Sequence, residues 1–312
     1  MSDKIPLLVL NSLLPKHQAQ VGAVYELHYA PTDEERAAAI AAHGARFRAL
    51  LTIGVTGVTE AELAQMPKLE LVCCMGAGFE RLPMEALRAR GIVTANGAGT
   101  NDDCVADHAL GLLIAIVRNM RVLDRLCREG VWREEIPQQR NVSGKKMGIL
   151  GLGTIGQKIA RRAQAFDIEI GYHNRSPKAG VPHRYFDSLL EMARWCDFLV
   201  CAAPGGAATR HLVNAEVLQA LGPDGYLINI GRGSVVDTEA LANALRADHI
   251  AGAGLDVYES EPNPPAPLIG LDNLLITPHM AGWSPEATQA SLDRFMANAE
   301  GHFAGRGVVS PI

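Results

Sequence analysis

The sequence predicts a two-domain α/β protein whose sheets are mainly parallel. Short apolar runs alternate with helical segments along most of the chain, as they do where strands are joined by crossover helices. The length of 312 residues exceeds that of a typical single domain. Hydrophobic residues make up 48 % of the chain and charged residues 20 %, so a sizeable core is available.

The first hundred residues are predicted to form one sheet with helices between its strands. Thr32 with Glu35, and Thr59 with Glu62, both fit the capping box that begins a helix. The helical segment before Gly91 has a suitable terminating glycine. The predicted strands cover residues 5–10, 25–29, 49–53, 69–74 and 92–95.

Two glycine-containing loops follow the third and fourth of these strands. Residues 54–57 form the first loop, and the second contains Gly76, Ala77 and Gly78. Open α/β sheets bind ligands beyond the carboxyl ends of their strands, and exposed backbone N–H groups can hold an anion there. The residues alone fit two plain turns equally well.

A polar segment at 96–107 gives way to a long helical pattern at 107–129, closed by Gly130. Its apolar stripe predicts one long helix that leads from the first domain into the second. The length of this helix also suits a subunit interface. Trp132 lies just after it and suits either a partner contact or a core position.

The second domain is organised around a glycine turn between an apolar run and a helical segment. Gly151 allows a tight turn, Gly153 lets a pyrophosphate approach the backbone, and Gly156 lets the helix pack close to the strand. Thr154 and Ile155 open that helix, whose N-terminal N–H groups attract phosphates. This context predicts a Rossmann dinucleotide-binding unit, and the alternative is a turn with no ligand.

Further strands and helices alternate downstream of this turn. The last helix is predicted at 284–303, with Ser284 as its N-cap and Pro285 in its first turn. The tail at 307–312 is expected to return to the first domain. The predicted strands cover 198–203, 226–230, 252–257 and 274–277, and the other predicted helices cover 214–221 and 237–247.

Arg232, Glu261 and His279 each follow a predicted strand of the second domain. Because parallel strands end at one edge, these groups are expected to converge beside the dinucleotide site. A guanidinium can grip a carboxylate, and a histidine oriented by a carboxylate can donate a proton. Each residue alone also fits an ordinary loop position, and Glu259 is a rival for the role of Glu261.

The far end of the βαβ unit bears on the choice of cofactor. NAD-binding units usually place an acid there, which accepts bonds from the ribose hydroxyls. This sequence instead has Asn174, Arg175 and Ser176, and Arg175 can pair with a 2′-phosphate. NADP(H) is therefore predicted over NAD(H). The alternative is that Arg175 points to solvent and NAD(H) is also accepted.

The chain resembles the D-2-hydroxyacid dehydrogenases, and among them the glyoxylate/hydroxypyruvate reductases. The resemblance covers essentially the whole chain. It implies a flavodoxin-like substrate domain at 1–98 and 285–312, and a Rossmann domain at 99–284. The motifs that carry it are MGAGF at 75–79, TNDDCVAD at 100–107, GLGTIG at 151–156, CAAPG at 201–205, NIGRGSVVD at 229–237, AGLDVYESEP at 253–262 and TPHMAG at 277–282.

The resemblance also implies roles for individual residues and a homodimer. Arg232 would bind a 2-keto acid, His279 would be the general acid/base and Glu261 its partner. Gly76, Ala77 and Gly78 would help to hold the substrate carboxylate. The residues that would contact the cofactor, besides those of the glycine turn and residues 174–176, are Ala203, Pro204, Thr209, Ile230, Asp256 and Gly282.

Trp283 departs from the family pattern, since smaller residues are more usual after the histidine motif. Residues 96–99 also replace a more common proline-containing turn. The predicted reaction is reduction of glyoxylate or hydroxypyruvate with NADPH. A bulkier 2-keto acid is the alternative if Trp283 lines the substrate pocket. A dinucleotide-sensing co-repressor is a rival from another class, against which Arg232, Glu261 and His279 argue.

Charge and cysteine content exclude several other classes. The formal charge of −5 with no long basic run argues against nucleic-acid binding. The six cysteines show no metal-ligand spacing and predict thiols in a reducing compartment. No run approaches the roughly 20 apolar residues of a membrane helix, and residues 5–10 are too short for a signal-peptide core. A cytoplasmic enzyme without a metal or a membrane partner is expected.

Overall fold

The computed structural model describes residues 4–312 and divides the chain into two compact units. Unit 1 combines the residues up to Asn101 with Gly282–Ile312, and unit 2 is Asp102–Ala281. The sequence placed the two boundaries at 98/99 and 284/285, three residues from these positions. Each unit has its own sheet and its own core.

Unit 1 contains a five-stranded sheet in the order β2-β1-β3-β4-β5. All neighbouring strands are parallel, as predicted. This order is that of flavodoxin-like folds. The strands are β1 (Pro6–Val9), β2 (Glu26–Tyr29), β3 (Ala49–Ile53), β4 (Leu71–Met75) and β5 (Val93–Asn96).

Unit 2 contains a seven-stranded parallel sheet in the order β12-β11-β10-β9-β6-β7-β8. The order reverses between β6 and β9, which is the switch point where doubly wound sheets bind ligands. The strands are β6 (Lys146–Leu150), β7 (Glu169–His173), β8 (Arg184–Phe186), β9 (Phe198–Cys201), β10 (Tyr226–Asn229), β11 (Gly252–Leu255) and β12 (Leu274–Ile276).

Helices connect the strands in both units, which confirms the α/β fold class. Both predicted capping boxes are present, with Thr32 and Thr59 accepting from Glu35 N and Glu62 N. Ser284 caps the last helix as predicted. The helices are α1 (Pro15–Val24), α2 (Asp33–His43), α3 (Glu60–Ala64), α4 (Met84–Ala89), α5 (Asp102–Val117), α6 (Met120–Arg128), α7 (Thr154–Gln164), α8 (Leu189–Trp195), α9 (Ala215–Leu221), α10 (Thr238–Arg246) and α11 (Pro285–Phe303).

The unit 1 sheet buries side chains on both faces. Leu7 and Val9 pack in one cluster with Leu292 and Phe295 of α11. Leu8, between them in sequence, packs on the other face with side chains from α2, α3 and α4. Burial on both faces explains why these strands are continuous apolar runs rather than alternating patterns.

The C-terminal tail returns to unit 1, as the sequence predicted. Ala95 of β5 forms an antiparallel bridge with Pro311. The Thr94 hydroxyl donates to the Ile312 carbonyl at 2.9 Å.

Within residues 4–312, no helix is both long enough and apolar enough to cross a membrane.

The prediction of one helix over 107–129 is wrong. The structure has α5 and α6 instead, and Asn119 between them has a left-handed backbone with φ of 50°. The apolar stripe continues across the break, so periodicity alone could not locate it. Asparagine tolerates this conformation better than most residues, which was the available signal.

The sequence also failed to assign residues 184–195. This segment forms β8 and α8, and Ser188 caps α8 by accepting from Glu191 N. The strand is only three residues long and begins with Arg184, so its apolar signal is weak. Edge strands of this length fall below what period-two patterning detects.

The left-handed conformation at Asn119 predicts that two substitutions change the stability to different extents. Asn119→Ala should lower the free energy of unfolding by about 1 kcal/mol, because alanine adopts positive φ less readily than asparagine does. Asn119→Gly is the matched control and should be close to neutral. Urea unfolding measures both. A stabilising alanine would mean that α5 and α6 form one helix.

Candidate active site

Arg232, Glu261 and His279 lie beyond the carboxyl ends of β10, β11 and β12. These three strands are parallel neighbours in the unit 2 sheet. Arg232 follows β10 after two residues, Glu261 lies in the segment after β11, and His279 follows β12. The sheet therefore brings the three predicted side chains to one edge.

His279 and Glu261 form a direct pair. The Nδ1 atom of His279 lies 2.7 Å from Oε2 of Glu261. The other oxygen, Oε1, accepts from the Tyr258 backbone N–H at 2.8 Å. No group within residues 4–312 is hydrogen-bonded to Nε2 of His279, and 39 % of this side chain is exposed. The ring thus presents one nitrogen to the surroundings while the carboxylate orients the other.

The electrostatic setting favours the protonated form of His279. The hydrogen bond that His279 donates to Glu261 is the main influence, and it raises the pKa of His279 above its ordinary value. Burial and the positive charge of Arg232 act in the opposite direction. His279 therefore keeps its proton to a higher pH than a free imidazole does.

The loop that carries His279 is held by the buried carboxylate of Asp256, which is 1 % exposed. Its oxygens accept from Met280 N at 2.7 Å and from Ala281 N at 2.8 Å. The Thr277 hydroxyl donates to the same group at 2.5 Å. Burial alone would raise the pKa of Asp256, but the hydrogen bond with His108 and those from these three donors lower it, so the carboxylate stays charged.

Hydrogen bonds from the fully buried side chain of Asn229 fix the turn that carries Arg232. The Asn229 amide donates to the Arg232 carbonyl at 3.0 Å and accepts from Gly231 N at 3.1 Å. One guanidinium N–H of Arg232 also donates to the Gly231 carbonyl at 2.7 Å. The backbone around this arginine is therefore fixed by side-chain hydrogen bonds within unit 2.

The predicted dinucleotide turn connects β6 to α7. Gly151 has φ of 97°, and a Cβ there would lie 2.7 Å from Ala203 N. A Cβ at Gly156 would lie 2.3 Å from the Gly151 carbonyl oxygen, so the helix packs as closely as predicted. A Cβ at Gly153 would meet nothing within 4 Å. That open space and the N-terminus of α7, with Thr154 and Ile155, fit the pyrophosphate of a dinucleotide.

The end of β7 carries the predicted cofactor selectivity. Asn174 turns back to accept from Leu152 N at 2.8 Å, whereas Arg175 and Ser176 are exposed. Lys178 was not predicted as a site residue, and its Nζ lies 3.3 Å from the Leu152 carbonyl oxygen. Two cationic side chains therefore lie at this end of β7, and residues 173–176 include no acid.

Four other predicted cofactor residues lie in unit 2 near this turn. Ala203 backs Gly151, and Pro204 begins the following loop. The Thr209 hydroxyl donates to the Pro204 carbonyl at 2.8 Å, which closes that loop. Ile230 is buried just after β10, and its backbone N–H donates to the Cys201 carbonyl at 3.1 Å. Asp256, by contrast, supports the His279 loop.

The remaining predicted residues belong to unit 1. The Gly76 carbonyl accepts from Gly97 N at 2.7 Å, and the Ala77 carbonyl accepts from the Asn96 amide at 2.8 Å. The loop through Gly78 is thus held by the segment after β5. A Cβ at Gly282 would lie 2.7 Å from the Asn101 amide nitrogen. Trp283 is 62 % exposed.

Two histidines that the sequence did not single out also have specific partners. His108 Nε2 lies 2.9 Å from the Thr277 hydroxyl, and His211 Nε2 lies 2.7 Å from Oε1 of Glu259. Glu259 is therefore paired away from His279, and Glu261 occupies the role for which the two were rivals. Within residues 4–312 no cluster of three or more histidine, cysteine or acidic side chains is placed to hold a metal ion.

Removing the charge of Glu261 should lower the pKa of His279. The Glu261→Gln variant keeps the shape of the side chain but loses the negative charge that stabilises the imidazolium, so the pKa of His279 should shift downward. An NMR titration of the His279 ring measures it. Glu239→Gln, which changes an exposed acid of α10, is the control and should leave the His279 titration unchanged. An unchanged titration in Glu261→Gln would contradict the assignment.

Comparison with known proteins agrees with this architecture. The family model for the D-isomer specific 2-hydroxyacid dehydrogenase NAD binding domain matches residues 110–281. A glyoxylate/hydroxypyruvate reductase, HPR3 of Arabidopsis thaliana, is 38 % identical over 86 % of this chain and 84 % of its own length. A hydroxyphenylpyruvate reductase of Plectranthus scutellarioides is 39 % identical over 81 % of this chain and 82 % of its own length.

A solved structure extends the similarity to nearly the whole fold. The NADPH-dependent glyoxylate/hydroxypyruvate reductase SmGhrB of Sinorhizobium meliloti, in complex with NADP and malonate, superposes with a TM-score of 0.90 at 34 % identity. The alignment covers 99 % of this chain and 97 % of that one. The chain is therefore an oxidoreductase that belongs to the D-isomer specific 2-hydroxyacid dehydrogenase family.

Proposed function

We propose that this enzyme reduces small 2-keto acids, glyoxylate and hydroxypyruvate first, to 2-hydroxy acids with NADPH. The observation that carries the proposal is the His279–Glu261 pair, 2.7 Å apart, on the same sheet edge as Arg232. This edge also carries the glycine turn between β6 and α7. An anion-binding cation and an oriented proton donor are the groups that keto-acid reduction needs.

Arg232 binds the substrate in this proposal. Its planar guanidinium can form two parallel hydrogen bonds to the carboxylate, or bridge the carboxylate and the keto oxygen. Within unit 1, the backbone N–H groups of Gly76, Ala77 and Gly78 can also hold an anion. Because Asn229 fixes the Arg232 backbone, little conformational freedom is lost when the substrate binds.

His279 donates the proton through Nε2. When bound, the reduced nicotinamide cofactor supplies the hydride that reaches the keto carbon. Negative charge then develops on the keto oxygen, and the His279 imidazolium neutralises it by giving up its proton. Glu261 keeps the ring in the correct orientation and favours its charged form, which sustains the acid at neutral pH.

The preference for NADPH over NADH rests on the end of β7. Arg175 and Ser176 are exposed beside the glycine turn, and the Lys178 ammonium group lies over the Leu152 carbonyl. These groups would bind a 2′-phosphate, whereas an NAD-selective acid is missing from residues 173–176. The Asn174 side chain is hydrogen-bonded to the glycine turn, so recognition of the 2′-phosphate charge depends mainly on Arg175.

A bulkier 2-keto acid is the second candidate substrate. Trp283 is 62 % exposed, so its indole face is available for an aromatic ligand within unit 1. The similarity to a hydroxyphenylpyruvate reductase favours the same candidate. The chemistry of His279, Glu261 and Arg232 is identical for both substrate classes.

We also infer that the enzyme is a homodimer. No side chain of α6 is fully buried within the described chain, and Met120 and Trp132 are 49 % and 64 % exposed. Exposed apolar groups on one segment fit contact with a second copy. Light scattering would then give twice the mass of one chain.

A reducing, cytoplasmic setting fits the buried thiols Cys196 and Cys201.

The function is tested by NADPH oxidation with a panel of 2-keto acids. Glyoxylate and hydroxypyruvate should give the highest kcat/KM, whereas a higher kcat/KM for phenylpyruvate would favour the bulkier substrate. His279→Ala should lower kcat roughly 10²–10⁴-fold, since a general acid is lost. His249→Ala changes an exposed histidine of the same unit and is the control. Near-normal turnover in His279→Ala would overturn the mechanism.

Cofactor selectivity is tested by the Arg175→Ala variant. The ratio of kcat/KM for NADPH to that for NADH should fall roughly 10- to 100-fold, because a charge-assisted bond to the 2′-phosphate is lost. Arg194→Ala removes an exposed arginine of α8 and should leave the ratio unchanged. If Arg175→Ala also leaves it unchanged, Arg175 does not select the cofactor.

A further inference from the structure

A second carboxylate–histidine pair lies beside the first. Glu259 is two residues before Glu261, and its Oε1 atom lies 2.7 Å from Nε2 of His211. The two carboxylates thus leave one short segment after β11 in different directions, one toward His279 and the other toward His211. The mechanism proposed above uses only the first pair.

The Glu259 carboxylate also holds the start of α10. Its Oε2 atom accepts from Thr238 N at 3.2 Å and from the Thr238 hydroxyl at 2.7 Å. Thr238 begins α10, six residues after Arg232, and the intervening turn has no regular helix of its own beyond one short 3₁₀ segment. Glu259 therefore anchors the far end of the turn that carries Arg232.

His211 is tied to the same turn through its backbone. Its N–H donates to the Ser234 carbonyl at 2.8 Å, and Val213 N donates to the Val235 carbonyl at 3.0 Å. His211 itself has φ of 51°, a left-handed conformation that non-glycine residues keep only where the surroundings hold it. Its imidazole and its backbone thus contact Glu259 and the Arg232 turn at the same time.

The turn that carries Arg232 packs in close contact with the backbone at Tyr258 and Glu259. A Cβ at Gly233 would lie 2.1 Å from the Tyr258 carbonyl carbon and 2.6 Å from Glu259 N. Only a glycine beside Arg232 allows this approach. A change in the position of Glu259 therefore transmits directly to the backbone of Arg232.

We propose that Glu259 and His211 are positioning residues that hold Arg232 in its substrate-binding place. Glu259 joins three segments: the end of the Pro204–Thr209 loop through His211, the start of α10 through Thr238, and the segment that bears Glu261. The arrangement fixes the distance between the carboxylate-binding arginine and the Glu261–His279 pair within unit 2. This inference rests on the proposed role of Arg232 in binding the keto acid.

The charges around Glu259 favour a role in positioning Arg232 over a role in stabilising the fold. Burial opposes ionisation, but the hydrogen bonds from His211 and Thr238 lower the pKa of Glu259, so it is charged at neutral pH. The Glu259 and His211 side chains are 25 % and 33 % exposed, and Arg210 lies 3.6 Å from the same carboxylate. Partly exposed pairs contribute little to stability. Their loss should therefore change binding more than folding.

The test compares His211→Ala, His211→Gln and Glu259→Gln with the wild-type enzyme. His211→Ala and Glu259→Gln should raise the KM for the keto acid about tenfold while kcat changes less than about threefold. His211→Gln should recover most of the loss, because its amide can still donate to Glu259. Glu239→Gln, an exposed acid of α10 next to Thr238, is the matched control. Thermal unfolding should be nearly unchanged in all variants.

A double-mutant cycle separates a positioning role from a merely structural one. The Kd of oxamate, a non-reducible keto-acid isostere, is measured with NADPH present for Arg232→Lys, His211→Ala and the double variant. If His211 acts through Arg232, the double variant should lose much less affinity than the product of the two single losses. Independent, multiplicative losses would overturn the proposal, as would an unchanged KM in His211→Ala.

The binding readout also distinguishes the failure of this inference from that of the proposed function. Wild-type enzyme that binds oxamate through Arg232 but reduces no 2-keto acid would refute the proposed reaction and leave the cycle interpretable. Oxamate binding that is indifferent to Arg232→Lys would refute the role of Arg232 and the positioning proposal together. Active enzyme with additive variants would refute the positioning proposal alone.

Discussion

The hydrogen bonds accepted by the buried carboxylate of Asp256 are the interactions on which the position of His279 in unit 2 depends. Placing a charge at 1 % exposure is unfavourable unless hydrogen bonds replace the lost water. Here the donors are Met280 N, Ala281 N and the Thr277 hydroxyl. By collecting them, Asp256 folds the segment after β12 into a tight loop. That loop holds His279 at φ of 55°, a conformation that the residue would otherwise avoid.

The topology of the sheet explains why the other groups meet His279. β10, β11 and β12 are parallel neighbours, so the residues that follow them share one edge. The glycine turn follows β6, which lies two strands from β10, at the reversal of strand order between β6 and β9. A chain with this strand order therefore needs only short connections to place a dinucleotide site, an arginine and a histidine–carboxylate pair on one side of the sheet.

The sequence predicted much of this because the informative signals are local. Gly151, Gly153 and Gly156 have a spacing that only a strand–turn–helix unit explains, and the charged residues at strand ends follow from the apolar runs before them. Signals that depend on tertiary contact were inaccessible. No local pattern distinguishes Glu259 from Glu261 as the partner of His279. The family resemblance implied Glu261, and the fold shows the physical reason, because each carboxylate lies 2.7 Å from a different histidine.

The break between α5 and α6 was hidden for a related reason. Hydrophobic periodicity continued through Arg118 and Asn119, whereas the left-handed backbone at Asn119 is a property of the folded chain. Lys178 and His211 were missed because their partners, Leu152 and Glu259, are distant in sequence. Long-range side-chain contacts have no periodic signature, so a single sequence does not reveal them.

The central claim is direct hydride transfer to a 2-keto acid with protonation by His279. The most direct measurement uses hydroxypyruvate and NADPH that carries deuterium at both C4 positions, followed by NMR and chiral analysis of the product. The account predicts D-glycerate with one deuterium on C2. Glycerate without the label, or labelled L-glycerate, would contradict it.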